Sequence, residues 1–221
     1  AMAKSIPALV TPEVLVWARK LDAISIDEIA SKMKIPPQKI EEWEDGKSYP
    51  TLTQAKELAK QYRVPFVYFY LPDTPQRKKR LNKVDYRAFG NMGVQNTESR
   101  ELRWLLRDIE DRRDSMLTLY EEIGKKPLDF PIKVDVKSSN EEIAKAIREL
   151  LNLSMATQKQ FRQPEKALSH CVEALEKNDV LVFQAAKIET SEMRGLSVAY
   201  EQMPIIVLNR KDEPSARLFT L

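Results

Sequence analysis

Through the first seventy positions, apolar residues recur at helical spacing in short runs, each bounded by a capping residue, a proline or a glycine. Val14, Leu15, Ala18 and Leu21 form one stripe behind Thr11-Pro12, an N-cap followed by a proline at the first helical position. Ser25 and Glu28 make a capping box for a second helix, with Ile26, Ile29, Ala30 and Met33 inward. Ile35-Pro36-Pro37 forces a turn and opens a third helix holding Ile40 and Trp43, which Asp45-Gly46 ends. Pro50-Thr51 opens a fourth, with Ala55, Leu58, Ala59 and Tyr62. The aromatic run Phe66 to Tyr70 reads as a closing helix or core plug, with a nucleotide-stacking surface as its alternative.

Beyond residue 96 the pattern lengthens. From Thr97 to Gly124 a single helix is expected, with Leu102, Ile109, Met116 and Ile123 at heptad spacing, open either to coiled-coil pairing or to packing within the chain. Arg112 and Arg113 interrupt its second stripe. Ser139 and Glu142 box a further helix carrying Ile143, Ala146, Ile147, Leu150 and Leu151; Pro164 opens another with Ala167, Leu168, Cys171, Val172 and Leu175. Strands are expected at Asp179–Gln184, Gly195–Tyr200 and Ile205–Leu208, forming a small antiparallel sheet against helices. The expected fold class is mainly α, of α+β type. Four segments are indicated: a helical head at 1–75, a basic linker at 76–96, the long connecting helix at 97–124, and a second domain at 125–221.

The head, with Trp17-Ala18-Arg19, Ile29-Ala30, the corner Ile40-Glu41-Glu42-Trp43-Glu44-Asp45-Gly46-Lys47 and Pro50, resembles the Xre/Cro-type helix-turn-helix domain over about residues 8–72. That resemblance implies DNA recognition by the third helix. Carried over by position, it places Pro37, Gln38, Lys39 and Glu42 toward base edges, with Ser25, Lys47 and Ser48 near phosphate. Gln38 would address adenine and Lys39 guanine. Pro37 offers no hydrogen bond, and Glu41 and Glu42 set negative charge against the duplex.

Charge sharpens this picture. The chain carries 36 Lys and Arg against 33 Asp and Glu, yet residues 1–75 hold equal numbers of each sign. The head therefore lacks the cationic surplus that drives non-specific DNA binding. The strongest basic cluster, Arg77-Lys78-Lys79-Arg80 with Lys83 and Arg87, falls after the head and reads as a solvated linker. One cysteine excludes an internal disulfide framework and fits a reducing compartment, so a cytoplasmic protein is expected. No apolar run is long enough to span a bilayer, and no membrane partner is expected. Ala1-Met2-Ala3 looks like an expression remnant.

The ending, with Arg194-Gly195-Leu196-Ser197-Val198, Pro204-Ile205-Ile206-Val207-Leu208-Asn209 and Ala216-Arg217-Leu218-Phe219-Thr220-Leu221, resembles the ImmA/IrrE family of zinc metallopeptidases. In that family such a segment leads into an HExxH helix, so the resemblance implies a peptidase domain broken off before its metal motif. An intact protein would then use zinc and cleave a partner, another Xre-type repressor. This chain has one histidine, His170, and a zinc site needs about three protein ligands. His170 and Cys171 are neighbours on a helix and point about 100° apart, which reads as structural. No catalytic residue, metal ligand or cofactor is assigned within the chain. Expected partners are duplex DNA, a repressor-type protein and a second copy; the alternatives are a non-proteolytic transcription factor or antitoxin-like module, or an interaction scaffold.

Overall fold

The computed structural model describes residues 6–75, 84–87, 98–132 and 138–221. It divides into two compact units, Ala1–Arg80 and Leu81–Leu221. The basic run Arg77 to Arg80, Lys83 and the first residues of the chain lie outside the described residues.

In the first unit, α1 (Pro12–Leu21), α2 (Ile26–Met33), α3 (Pro37–Glu44) and α4 (Leu52–Gln61) are followed by a 3-10 helix, Phe66–Tyr70. Ser25 accepts a hydrogen bond from the Glu28 amide and caps α2, while Thr51 and Gln54 form a reciprocal capping box on α4. Thr11 stands at the N-cap of α1, but its hydroxyl donates to the Leu71 carbonyl instead (2.7 Å) and ties the start of the unit to its end. The stripes expected from spacing meet in one core: Val14, Leu15, Ala18, Ile29, Ala30, Ile40, Trp43, Ala55, Leu58, Ala59 and Tyr62. The aromatic run supplies its plug. Phe69 is fully buried, edge-on to Tyr62 and Phe66, while Val67 and Tyr70 face outward.

The second unit is built on a four-stranded sheet in the order β1-β3-β4-β2. Its strands are β1 (Val84–Arg87), β2 (Leu181–Ala185), β3 (Gly195–Val198) and β4 (Ile205–Asn209). The antiparallel expectation holds for β1 with β3 and for β3 with β4. It fails for β2, which runs parallel to β4 with Leu181 opposite Ile205. The reason is that the chain passes through β3, antiparallel to β4, between β2 and β4, so these two neighbours are joined by a crossover rather than a hairpin. Val84–Arg87 forms an outer strand where the sequence indicated a polar connection. Four exposed-to-intermediate residues carry too little hydrophobic alternation to announce a strand.

The long helix, α5, spans Arg100–Glu122. Its first half packs Leu102, Leu105, Leu106 and Ile109 on one face of the sheet, against Ala185, Leu196, Val198, Ile205 and Val207. Arg113, one of the residues breaking the second stripe, stacks on Tyr200 with its guanidinium 3.6 Å from the ring centroid, and donates to the Gln202 and Met203 carbonyls. The other face holds α8 (Pro164–Glu176) and α9 (Pro214–Leu218), where Cys171, Leu175, Val180, Val182, Ile206 and Leu218 meet. Between α5 and α8 come α6 (Asn140–Leu150) and the short α7 (Met155–Gln160), which the sequence did not announce. The capping box of α6 forms as expected. Its apolar stripe joins the core only at its end, where Leu151 is buried and Leu150 packs beside it; no residue within Asn140–Leu150 is buried, and Ile147 stays 39% exposed.

Candidate nucleic-acid interface

Two features position α3. Lys34 adopts the left-handed conformation that closes α2 (φ 55°), and Pro36-Pro37 then starts α3 at once, giving a short turn between helices. At the far end Arg19 grips Glu44 with both ends of its fork, Nε to Oε1 at 2.7 Å and Nη2 to Oε2 at 2.8 Å, while Nη1 donates to the Ile24 carbonyl. Both side chains are largely buried, at 13% and 8% exposure. Hydrogen bonding to Glu44 is the main reason the Arg19 guanidinium is held above its ordinary pKa. This pair fixes α3 against α1. The sequence displays both residues without their pairing, since 25 positions separate them.

The corner after α3 turns on Gly46, whose φ of +70° puts it in the left-handed region. Lys47 and Ser48 fold back so that both amides donate to the Glu42 carbonyl, at 2.9 and 3.3 Å. With Ile40 and Trp43 buried, the outer face of α3 presents Gln38, Lys39 and Glu41 exposed and Pro37 and Glu42 half-buried. Lys47 and Ser48 stand beside it. The structure thus brings Gln38, Lys39, Glu42, Lys47 and Ser48 onto one surface, with Ser25 exposed at the start of α2.

Both lysines on this surface already have carboxylate partners. Lys39 Nζ lies 2.7 Å from Glu42 Oε2, to which Ser48 Oγ also donates at 3.0 Å, and Lys47 Nζ lies 2.7 Å from Asp45 Oδ2. The Lys39 hydrogen bond, and then that of Ser48, hold the Glu42 carboxyl below the usual carboxylate range. Hydrogen bonding to Asp45 raises the Lys47 ammonium. Pro36 and Pro37 carry no amide proton, so the N-terminus of α3 also lacks two of the donors that would otherwise meet a phosphate. The Ser25 hydroxyl accepts from Glu28 and keeps its own proton to donate outward.

Residues 15–69 match the helix-turn-helix family model. The match supports a DNA-binding transcription regulator of Xre type, and within this helix-turn-helix α2 and α3 are the paired helices. Comparison with curated proteins and with solved structures returned no match. No described helix is long and apolar enough to cross a membrane.

In the second unit His170 and Cys171 stand side by side on α8. His170 Nε2 lies 3.0 Å from the Leu151 carbonyl and its ring packs beside Phe161; Cys171 is buried, and desolvation pushes its thiol up. A groove of about 390 Å³ lies where β1 and β3 meet the end of the chain, lined by Asp85, Tyr86, Arg87, Ser197, Phe219 and Thr220. There Arg87 Nη1 donates to the Ala216 carbonyl and to Thr220 Oγ1, and Arg194 forms a bidentate pair with buried Asp212 just before α9. A Cβ on Gly195 would stand 2.2 Å from Thr220 Cγ2 and 3.0 Å from the Val207 carbonyl oxygen, so a larger residue there would force Thr220 to move.

Proposed function

We propose that this protein is a transcription regulator whose helix-turn-helix unit binds duplex DNA with α3 in the major groove. The carrying observation is the outward face of α3, with Gln38 and Lys39 exposed on a helix braced by Arg19–Glu44. Gln38 reads base edges, Lys39 and Lys47 exchange their carboxylate partners for phosphate or base oxygens, and the Ser25 and Ser48 hydroxyls donate to the backbone. Because each lysine leaves an existing ion pair, affinity rests on few released counterions. Fluorescence anisotropy of the full chain on a duplex from its own promoter, at two salt concentrations, is the test. We expect binding that weakens with salt, with a slope corresponding to about two to four phosphates. Absence of any salt-dependent binding at micromolar protein would remove this reading.

For the second unit we propose an ImmA/IrrE-like module. The β3–β4 hairpin leading into a proline-opened α9, held by Arg87 and by Arg194–Asp212, supports that reading. Among the described residues no group of three His, Cys, Asp or Glu could hold a metal, and His170 Nε2 lies beside the Leu151 carbonyl. A peptidase acting on a repressor-type partner therefore requires an in-frame HExxH beyond Leu221, which the gene's sequence would reveal. A stop codon there would leave a non-proteolytic regulator.

A further inference from the structure

On the outward face of α3, Glu42 combines a fixed position with a purely accepting side chain. Gln38 and Glu42 are four apart and share that face, Lys39 stands beside them, and Ile40 and Trp43 are buried on the other side. Among the described residues the Glu42 carboxylate accepts on one oxygen only: Oε2 takes Lys39 Nζ at 2.7 Å and Ser48 Oγ at 3.0 Å. Those bonds hold its pKa down, so the group meets a duplex ionised and can accept but not donate.

We infer that Lys39 and Glu42 together read one G·C pair, Lys39 donating to guanine and Glu42 accepting from the cytosine N4 amino group. This rests on the duplex-binding reading above, in which Lys39 leaves for a base oxygen and Ser48 for the backbone. Glu42 then loses both donors beside a negatively charged duplex, and only a donor on the duplex itself offsets that cost. The major-groove edge offers two, cytosine N4 and adenine N6. Adenine N6 lies between two acceptors, its own N7 and thymine O4, which repel a carboxylate from both sides; an amide such as Gln38, donor and acceptor in one, suits it better. Cytosine N4 has an acceptor on one side alone, guanine O6, with C5–H on the other. That acceptor is the one Lys39 takes. O6 and N4 are hydrogen-bonded to each other at about 2.9 Å, close to the 2.7 Å between Lys39 Nζ and Glu42 Oε2. A single base pair therefore replaces both partners of the ion pair at once. Glu42 acts by selection: it weakens binding at every other base pair and is matched at this one.

The test is selection by the full chain from a duplex pool with a randomised centre, followed by anisotropy at fixed salt on duplexes that differ at one base pair. We expect a position at which G·C, in one orientation, is preferred over A·T by about tenfold, the discrimination that a well-made base contact supplies. Inosine·cytosine at that position keeps the major-groove edge and loses only the minor-groove amino group, so it should bind as G·C does. Glu42→Gln should tighten binding to the other duplexes and reduce the preference to about threefold or less, because the carboxylate that disfavoured their edges is gone. The inosine measurement uses the unaltered protein and stands whatever Glu42→Gln does to folding. Salt-dependent binding with no G·C preference at any position would overturn the inference alone, as would inosine·cytosine binding like A·T, or a Glu42→Gln variant that tightens every duplex equally. Absence of salt-dependent binding to any duplex would remove the underlying reading, and this inference with it.

Discussion

At residue scale, the decisive observation is that Glu42 occupies the centre of the candidate interface and already holds Lys39 and Ser48. A carboxylate there repels the duplex and withholds a lysine from it. Glu42→Gln is expected to raise DNA affinity by about two- to fivefold, an exposed-charge effect that should shrink at high salt, as read by anisotropy. Asp212 illustrates the opposite use of a carboxylate. Hydrogen bonds and charge from Arg194 hold it below the ordinary range despite its burial. Its pairing therefore contributes stability that is fully present above the ordinary aspartate pKa of about 3.9 and is lost as pH falls through the lower folded value. Asp212→Asn should cost about 2 kcal/mol near neutrality. The gap from the unaltered protein should close on acidification, as measured by denaturant unfolding at several pH values.

At the scale of elements, α3 is short and its first turn is poor in donors, so its placement depends on what holds it from outside. Arg19–Glu44 is that brace, a largely buried pair joining the end of α3 to α1 and to the loop before α2. Removing one partner strands the other in a poorly solvated position. Arg19→Ala is expected to destabilise the first unit by about 3 kcal/mol, with DNA binding lost in parallel, by calorimetry and anisotropy on the same samples. In the second unit the comparable device is Arg113, which the pattern marks as a break in an apolar stripe. The fold uses it to cover Tyr200 and to satisfy two loop carbonyls. A charge in a stripe is thus a break only when nothing polar waits opposite.

At the scale of the whole molecule, the two units have separate hydrophobic cores. Each is expected to unfold as its own cooperative transition in calorimetry. Arg19→Ala should shift one transition and Asp212→Asn the other; a single transition moved equally by both would show the units to be thermodynamically coupled. Division of labour follows the same line: the first unit presents the surface suited to a duplex, and the second carries the four-stranded sheet.

The chain by itself determined what depends on neighbours along it. The caps at Ser25, Thr51 and Ser139, the prolines opening α1, α3, α8 and α9, and the stripes that became the first core were all legible, because a helix is made from residues three and four apart. The positions of the candidate interface could be read too, since they follow from one helix and one corner. The pairs Lys39–Glu42 and Lys47–Asp45, three and two positions apart, also lay within reach of the sequence; tertiary structure alone decided the parallel course of β2, the recruitment of Val84–Arg87 into the sheet and the grip of Arg19 on Glu44. These depend on hydrogen bonds and ion pairs whose partners become neighbours only after the backbone has folded, so composition and spacing carry no trace of them.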